Sequence, residues 1–220
     1  MSIAEGTDIA SQLGFQSLAN QNVNAPSVAK FINNKHDLSS TTVKLKRFKH
    51  VLDEIIRKNL LENGIKKLFP VQAQIIPQIL NTRLYETDFC VCSPTGTGKT
   101  LTYVIPIVQT LMSRVVCCVR AVVLVPTRPL INQIKETFDL VAKGTGLKIF
   151  AFHQDKLAKE QEHFSQVTTT NGLPYDILIS TPQRLADHLE RSKNFGFSLD
   201  HLRYLVIDEA DRVLANELET

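Results

Sequence analysis

The sequence lacks the features that mark a membrane-spanning or secreted protein. It contains no stretch of about 18 uncharged apolar residues, the least that a membrane-spanning helix requires. Its first residues, Met-Ser-Ile-Ala-Glu-Gly, include neither the basic nor the apolar region of a secretory signal. A marked excess of charge is also missing, because 25 Lys and Arg stand against 22 Asp and Glu. A net charge of +3 neither requires nor excludes a nucleic-acid partner. Whether the chain can bind one depends on where the charges lie.

Cysteine is scarce, with four residues at positions 90, 92, 117 and 118. Their spacing matches no zinc-binding or thioredoxin-like motif, and all four lie in or beside apolar runs. We therefore predict buried, reduced thiols in an intracellular protein. Hydrophobic residues make up 43% of the 220 residues, which is enough for a hydrophobic core in roughly one to two domains. The composition predicts a soluble, mostly globular chain and indicates no particular chemistry.

The first 42 residues differ in composition from the rest of the chain. Residues 1–42 are rich in Asn, Ser, Ala and Gln and poor in charge, which predicts a mostly flexible leader. From Val43 onwards apolar residues recur at helical spacing, and Gly64 follows them at a position typical of a helix end.

Residues 44–67 carry eight basic and three acidic side chains, a net charge of +5. This segment is either a solvated helix face or a basic surface near RNA.

The remainder of the chain alternates between short apolar runs and amphipathic stretches. The runs rich in Val, Ile and Leu predict strands at residues 89–92, 121–125, 148–152, 176–179 and 204–207. Predicted helices lie at residues 101–113, 130–143, 157–168 and 184–191. Strands that are apolar throughout and are joined by helices favour a parallel sheet covered on both faces. The predicted fold class is therefore α/β.

Residues 93–100, Ser-Pro-Thr-Gly-Thr-Gly-Lys-Thr, form a candidate phosphate-binding loop between a predicted strand and a predicted helix. Gly96 and Gly98 allow the backbone N–H groups to approach a phosphate at the positive end of the helix dipole. Lys99 can reach the β- and γ-phosphates, and the hydroxyl of Thr100 can bind Mg²⁺. The strict pattern begins with glycine where this chain has serine, but Gly-Lys-Thr and its setting are kept.

An acidic cluster, Asp208-Glu209-Ala210-Asp211, follows the apolar run 204–207. An acid at the carboxyl end of a parallel strand lies at the ligand crevice of an α/β sheet. Asp208 can hold Mg²⁺ through water, and Glu209 can orient and deprotonate an attacking water. The alternative is an exposed acidic turn, which the preceding buried strand disfavours.

With this cluster the chain resembles the DEAD-box ATP-dependent RNA helicases, whose name residues 208–211 spell out. Residues 126–128, Pro-Thr-Arg, resemble the start of the family's RNA-backbone motif Pro-Thr-Arg-Glu-Leu-Ala. Residues 181–185, Thr-Pro-Gln-Arg-Leu, resemble a second backbone motif, Thr-Pro-Gly-Arg-Leu. Gln72 resembles the glutamine that reads adenine, and Phe48 resembles the aromatic residue upstream of it. The resemblance covers about residues 45–215.

The resemblance implies a RecA-like domain with ATP and Mg²⁺ as cofactors and RNA as a partner bound through its backbone. It implies nucleotide binding by Phe48, Gln72, Thr95, Gly96, Thr97, Gly98, Lys99 and Thr100. It implies catalytic roles for Lys99, Asp208 and Glu209, with Thr100 and Asp208 holding the metal. It implies RNA binding by Thr127, Arg128, Thr181 and Arg184. Asp211 is implied to couple this domain to a second one.

Several positions depart from the family pattern. Pro129 and Ile131 replace Glu and Ala, Gln183 replaces a glycine that allows close approach of RNA, and Phe69 replaces a threonine. Residues 153–154, His-Gln, stand where the family has paired glycines. These departures, with residues 113–116 and 157–161, resemble the subgroup that assists assembly of the large ribosomal subunit. That subgroup implies ribosomal RNA, protein partners in pre-ribosomal particles, a location in the nucleus and nucleolus, and no membrane.

Family members continue with a Ser-Ala-Thr motif on a further strand and a second RecA-like domain, which these 220 residues do not include. We therefore expect residues 43–220 to be a truncated first RecA-like domain, with a gap between the strands of Cys90 and Val206. We expect no unwinding by this chain alone. The alternative is a module that binds nucleotide, RNA or protein partners without catalysis. Another phosphate-loop ATPase, such as a DNA translocase, is disfavoured by Gln72 and the two Thr–Arg motifs.

Overall fold

The computed structural model describes residues 42–81, 88–113, 118–152, 157–167, 174–191 and 198–218. These residues belong to one compact unit, Leu38–Thr220. The predicted leader lies outside the described residues except for Thr42, as do His153, Gln154 and residues 114–116.

The described residues form six strands and seven α-helices. The strands are β1 (Val43–Lys44), β2 (Lys67–Leu68), β3 (Ala121–Leu124), β4 (Ile149–Ala151), β5 (Ile177–Ser180) and β6 (Tyr204–Ile207). The helices are α1 (Glu54–Glu62), α2 (Pro70–Asn81), α3 (Lys99–Leu111), α4 (Arg128–Ala142), α5 (Leu157–Val167), α6 (Pro182–Arg191) and α7 (Ala210–Leu218). A 3-10 helix spans Leu45–Phe48. No helix in the described part of the chain is both long and apolar enough to cross a membrane.

Four strands form a parallel sheet in the order β4-β5-β3-β6. Val122 in the middle of β3 pairs with Leu178 of β5 on one side and with Leu205 of β6 on the other. Strands β1 and β2 form a separate antiparallel pair. The parallel sheet with intervening helices confirms the predicted α/β class.

Helices pack on both faces of the sheet, and successive residues of a strand point to opposite faces. Val123 of β3 belongs to the larger apolar cluster, with residues of α3 and α4 such as Ile105 and Phe138. Val122 belongs to a second cluster with Phe164 of α5 and residues of α6. The sheet is therefore the middle of three layers. The helices lie over its faces and leave the ends of the strands free for a site.

Local sequence signals set the helix ends. The side chain of Asp53 caps α1 by accepting a hydrogen bond from the backbone N–H of Ile55 at 2.9 Å. Gly64 follows the end of that helix with a φ of 78°, in the left-handed region that glycine adopts easily, which confirms its predicted position. Pro129 lies in the first turn of α4, where its missing N–H breaks no helical hydrogen bond.

The predicted strand at residues 89–92 does not form, and this prediction was wrong. Residues 89–92 belong to no strand, and within the described ranges β6 pairs only with β3. An apolar segment becomes a strand only where a neighbour completes its hydrogen bonds. Cys90 and Cys92 are exposed, which corrects the prediction that these two thiols are buried.

Candidate functional site

The phosphate-loop candidate leads directly into helix α3. Gly96 and Gly98 have φ values of 81° and 73°, and Gly98 is the residue that precedes the helix. The ammonium of Lys99 donates hydrogen bonds to the carbonyl oxygens of Ser93 at 2.6 Å and Pro94 at 3.0 Å. The loop therefore folds around the Lys99 side chain at the N-terminus of a long helix.

A second anchor of the loop is Gln72 of α2, which is only 2% exposed. Its Oε1 accepts a hydrogen bond from the N–H of Phe69 at 2.8 Å, and its Nε2 donates to the carbonyl of Gly98 at 2.9 Å. A Cβ atom on Gly98 would lie 2.3 Å from Gln72 Nε2. The predicted adenine-reading residue thus packs directly against the phosphate loop.

Two aromatic residues near this region occupy different environments. Phe48 is 7% exposed and lies in the larger apolar cluster. Phe69 is 46% exposed, and its ring carbon Cδ2 would be 3.3 Å from a Cβ on Gly98. The exposed aromatic surface beside the loop therefore comes from Phe69, which the sequence marked only as a departure from the family pattern.

The carboxylate of Asp208 is fixed by hydrogen bonds at the carboxyl end of β6. Its backbone N–H continues the sheet by donating to Leu124 at 2.9 Å. Its Oδ1 accepts a hydrogen bond from the N–H of Glu209 at 3.0 Å, and its Oδ2 accepts one from the hydroxyl of Tyr103 at 2.8 Å. Tyr103 lies on α3, so this contact joins the phosphate-loop helix to the acidic cluster.

Tyr103 was missed by sequence reasoning because its partner lies 105 residues away. Burial of the phenol, followed by the negative charge of Asp208, raises the pKa of Tyr103 far above its usual value. A hydrogen bond with the side chain of Thr100 acts weakly in the opposite direction on the same pKa. The phenol therefore stays protonated and donates to Asp208.

Glu209 has an unusual backbone conformation for a residue with a side chain. Its φ is 50°, in the left-handed region, which is sparsely occupied by residues other than glycine and is often found at functional sites. Its Oε2 lies 3.1 Å from the guanidinium of Arg212, one turn along α7. Asp211, the predicted coupling residue, is exposed on that helix.

The predicted RNA-binding residues follow two adjacent parallel strands. Thr127 and Arg128 are exposed after β3, and Arg128 is the first residue of α4. Thr181 follows β5, and its hydroxyl accepts a hydrogen bond from the N–H of Arg184 at 3.4 Å. Because β5, β3 and β6 are parallel neighbours, these residues and Asp208 lie along one edge of the sheet.

Arg184 is held by a buried polar cluster that sequence reasoning also missed. Its Nε donates to Oε2 of Glu160 at 2.9 Å, and Nε2 of His188 lies 2.8 Å from the same oxygen. Glu160 is 4% exposed on α5, whereas Arg184 and His188 lie on α6. A buried carboxylate requires a cationic partner, so Glu160 fixes the orientation of Arg184.

Comparison with known proteins agrees with this arrangement. Residues 69–220 match the family model described as DEAD/DEAH box helicase. The human protein named ATP-dependent RNA helicase DDX51 is 43% identical over 171 residues, covering 72% of this chain and 25% of that protein. The Schizosaccharomyces pombe protein named ATP-dependent RNA helicase dbp6 is 43% identical over 163 residues, covering 71% of this chain and 26% of that protein.

A solved structure shows the same similarity. The DEAD-box helicase Mss116 bound to single-stranded RNA and UDP-BeF aligns with a TM-score of 0.64 at 31% identity, covering 82% of this chain and 36% of that chain. The chain spans about a quarter of the length of the human and yeast relatives.

Proposed function

Because this chain belongs to the DEAD/DEAH box helicase family, as its motifs indicated, we propose that it is the ATP-binding half of an RNA helicase. In this proposal ATP hydrolysis is coupled to RNA binding and to local separation of duplex RNA. The observation that carries it is the hydrogen bond from Tyr103 to Asp208, which joins the phosphate-loop helix to the acidic cluster. In this proposal residues 43–220 belong to the first RecA-like domain of the helicase, and residues 1–42 are its leader.

The phosphate loop is assigned the triphosphate of ATP. Thr95, Gly96, Thr97 and Gly98 present the backbone at the N-terminus of α3, where N–H groups and the helix dipole attract anions. Lys99 exchanges its hydrogen bonds to two loop carbonyls for the β- and γ-phosphate oxygens. Gln72, already bound to Gly98, and the aromatic residues Phe48 and Phe69 are assigned to the adenine side.

The residues also fit a magnesium ion. No group of three or more His, Cys, Asp or Glu in the described part of the chain could hold a metal by itself. A nucleotide-bound Mg²⁺ needs no such group, because one or two protein oxygens, water and phosphate oxygens complete its shell. Thr100 and Asp208 offer those oxygens; Asp208 accepts a hydrogen bond from Tyr103, and Thr100 lies three residues before Tyr103 on α3. The ion would neutralise charge on the β- and γ-phosphates.

Glu209 is assigned to the attacking water. Its carboxylate follows Asp208 directly on a left-handed backbone, with Oε2 3.1 Å from the guanidinium of Arg212. In this position it orients a water molecule and accepts its proton as the γ-phosphate is transferred. Asp211, exposed on α7, is assigned to contact with a second domain.

RNA is assigned to the sheet edge formed by Thr127, Arg128, Thr181 and Arg184. Guanidinium groups and hydroxyls there bind phosphates, which gives affinity without base specificity. The resemblance of residues 113–116 and 157–161 to the subgroup that assists large-subunit assembly supports the finer proposal that the RNA is ribosomal. On that proposal the protein acts in the nucleolus with partners of pre-ribosomal particles, during assembly of the large subunit.

Substitution of Glu209 by glutamine tests the proposal. We expect E209Q to keep its affinity for a fluorescent ATP analogue and to lose RNA-stimulated phosphate release by at least about 100-fold, because the general base is gone. The ATP-bound variant should also stay on RNA. The assay uses the full protein, with phosphate release, analogue binding and RNA anisotropy as readouts.

The matched control is Glu136→Gln, which removes an exposed carboxylate from α4. It should leave all three readouts unchanged. Unchanged turnover in E209Q contradicts the role of Glu209. Absence of ATP-analogue binding by the unsubstituted protein contradicts the proposed function as a whole.

A further inference from the structure

We propose that Tyr103 is a positioning residue for the nucleotide-bound magnesium ion and acts through Asp208. The inference deepens the proposed function and rests on it, since it concerns how tightly the metal is held at that site. It goes beyond the matched motifs, because Tyr103 belongs to none of them.

The geometry of the Asp208 carboxylate carries the proposal. One oxygen accepts a hydrogen bond from the N–H of Glu209 at 3.0 Å, and the other accepts one from Tyr103 at 2.8 Å. A carboxylate held at both oxygens cannot rotate freely about its Cβ–Cγ bond. The remaining lone pairs of Asp208 are therefore oriented before a metal arrives.

The ring of Tyr103 is packed against a neighbouring helix. It is half-buried and lies beside Phe138 of α4, with 6.4 Å between the ring centroids. Its hydroxyl lies between the phosphate-loop helix and the end of β6. A phenylalanine at this position would fill the same volume and lack only the oxygen atom.

Tyr103 also lies on the helix that contributes the second oxygen donor proposed for the metal. Thr100 is three residues earlier on α3, on the same face of the helix, and its side chain opposes the rise in the pKa of the Tyr103 hydroxyl. The hydroxyl that binds Asp208 therefore lies on the helix turn that carries Thr100.

The experiment is a magnesium titration of nucleotide binding. A fluorescent ADP analogue is bound to the full protein at increasing MgCl₂, and its affinity is also measured in EDTA. We expect Tyr103→Phe to raise the Mg²⁺ concentration at half-saturation about 10- to 100-fold, the usual effect of losing a hydrogen-bond partner of a metal ligand. Affinity in EDTA should not change, because the phosphate contacts of the loop remain.

Tyr204→Phe is the matched control. The Tyr204 hydroxyl donates to Thr110 Oγ1 at 3.0 Å, so it also joins β6 to α3 but does not contact Asp208. The control should keep the magnesium dependence of the unsubstituted protein. Thermal unfolding of both variants, with and without Mg²⁺ and ADP, shows that each is folded and separately reports the metal-dependent gain in stability.

The outcomes separate the inference from the proposed function. If the unsubstituted protein shows magnesium-dependent binding and Y103F matches it, Tyr103 has no positioning role and the inference is overturned. Equal shifts in Y103F and Y204F overturn it as well, since the effect is then one of α3–β6 packing. If the unsubstituted protein shows no magnesium-dependent binding, the proposed nucleotide site itself fails.

Discussion

At the scale of single residues, Gly98 is the point where the phosphate loop and Gln72 meet. The Gln72 amide is buried and satisfied by Phe69 and Gly98, so a side chain at position 98 must displace it. The loop backbone at Gly98 is also left-handed. The close approach of the Gln72 amide and the left-handed backbone together require glycine at position 98.

We expect Gly98→Ala to weaken binding of an ATP analogue strongly and to lower the free energy of unfolding by about 2–4 kcal/mol. The new methyl group would lie 2.3 Å from Gln72 Nε2, so the amide must leave its two partners. The magnitude combines a buried, unsatisfied amide with left-handed strain. Fluorescence titration and urea unfolding measure the two effects.

Gly96→Ala is the control for the strain alone. Gly96 has a similar φ of 81°, but nothing lies within 4 Å of a Cβ placed on it. Its substitution should therefore cost less stability than G98A. If the two variants lose the same stability, the contact between Gln72 and Gly98 contributes nothing to the stability of the fold.

The sequence predicted the residues of the site that belong to contiguous motifs. The phosphate-binding loop and the acidic cluster are short contiguous motifs, and they identified Lys99, Thr100, Asp208 and Glu209. Tyr103 and Glu160 were not, because their roles come from partners 105 and 24 residues away. Contacts of that kind depend on strand order and helix packing, which local spacing does not encode.

At the scale of secondary-structure elements, the buried cluster of Glu160, Arg184 and His188 joins α5 to α6. Arg184 is assigned to the RNA backbone, and its Nε donates a hydrogen bond to Oε2 of Glu160 at 2.9 Å. The helix that contributes Glu160 therefore orients a cation on the neighbouring helix. RNA affinity should then depend on a residue that itself has no assigned contact with RNA.

We expect Glu160→Gln to weaken binding of single-stranded RNA about 10-fold, since a hydrogen bond to a charged group contributes about 1.5–3 kcal/mol. If the Arg184 phosphate contact is lost, the slope of log affinity against log salt should fall by about one. Fluorescence anisotropy at several salt concentrations gives both quantities. ATP-analogue binding should not change.

Glu162→Gln, on the same helix and exposed, is the control for the loss of one negative charge. It should keep the salt slope of the unsubstituted protein. An E160Q variant with unchanged RNA affinity and slope would show that Arg184 needs no orientation by α5.

Periodicity predicted the elements that bury one face against the sheet. Strands β3 to β6 and helices α3 to α6 lie within a few residues of their predicted bounds. The two-residue strands β1 and β2 are too short for any periodic signal, and α2 contains Pro77, which weakens its helical pattern. The segment 89–92 shows the reverse error, because it has the β-propensity of a strand and is not in one.

At the scale of the whole molecule, one buried ion pair joins three strands at the edge of the sheet opposite the site. Arg120 precedes β3 and Asp176 precedes β5, and their side chains are 2.6 Å apart. Asp176 is 0% exposed and also accepts a hydrogen bond from the N–H of Lys148, just before β4, at 2.9 Å. The pair therefore fixes the relative positions of β3, β5 and β4 at their amino ends.

We expect Asp176→Ala to lower the free energy of unfolding by about 3–5 kcal/mol, because it leaves the buried guanidinium of Arg120 without its counter-charge.

Asp139→Ala is the control. Its partner Lys135 forms an exposed pair one helical turn away, worth at most about 1 kcal/mol. The Arg120–Asp176 ion pair and the proposed nucleotide contacts lie at opposite edges of the sheet. Folded D176A should therefore bind the ATP analogue with unchanged affinity. Urea unfolding and analogue titration separate the two quantities, and a loss of affinity in folded D176A would mean that the two edges are coupled through the strands.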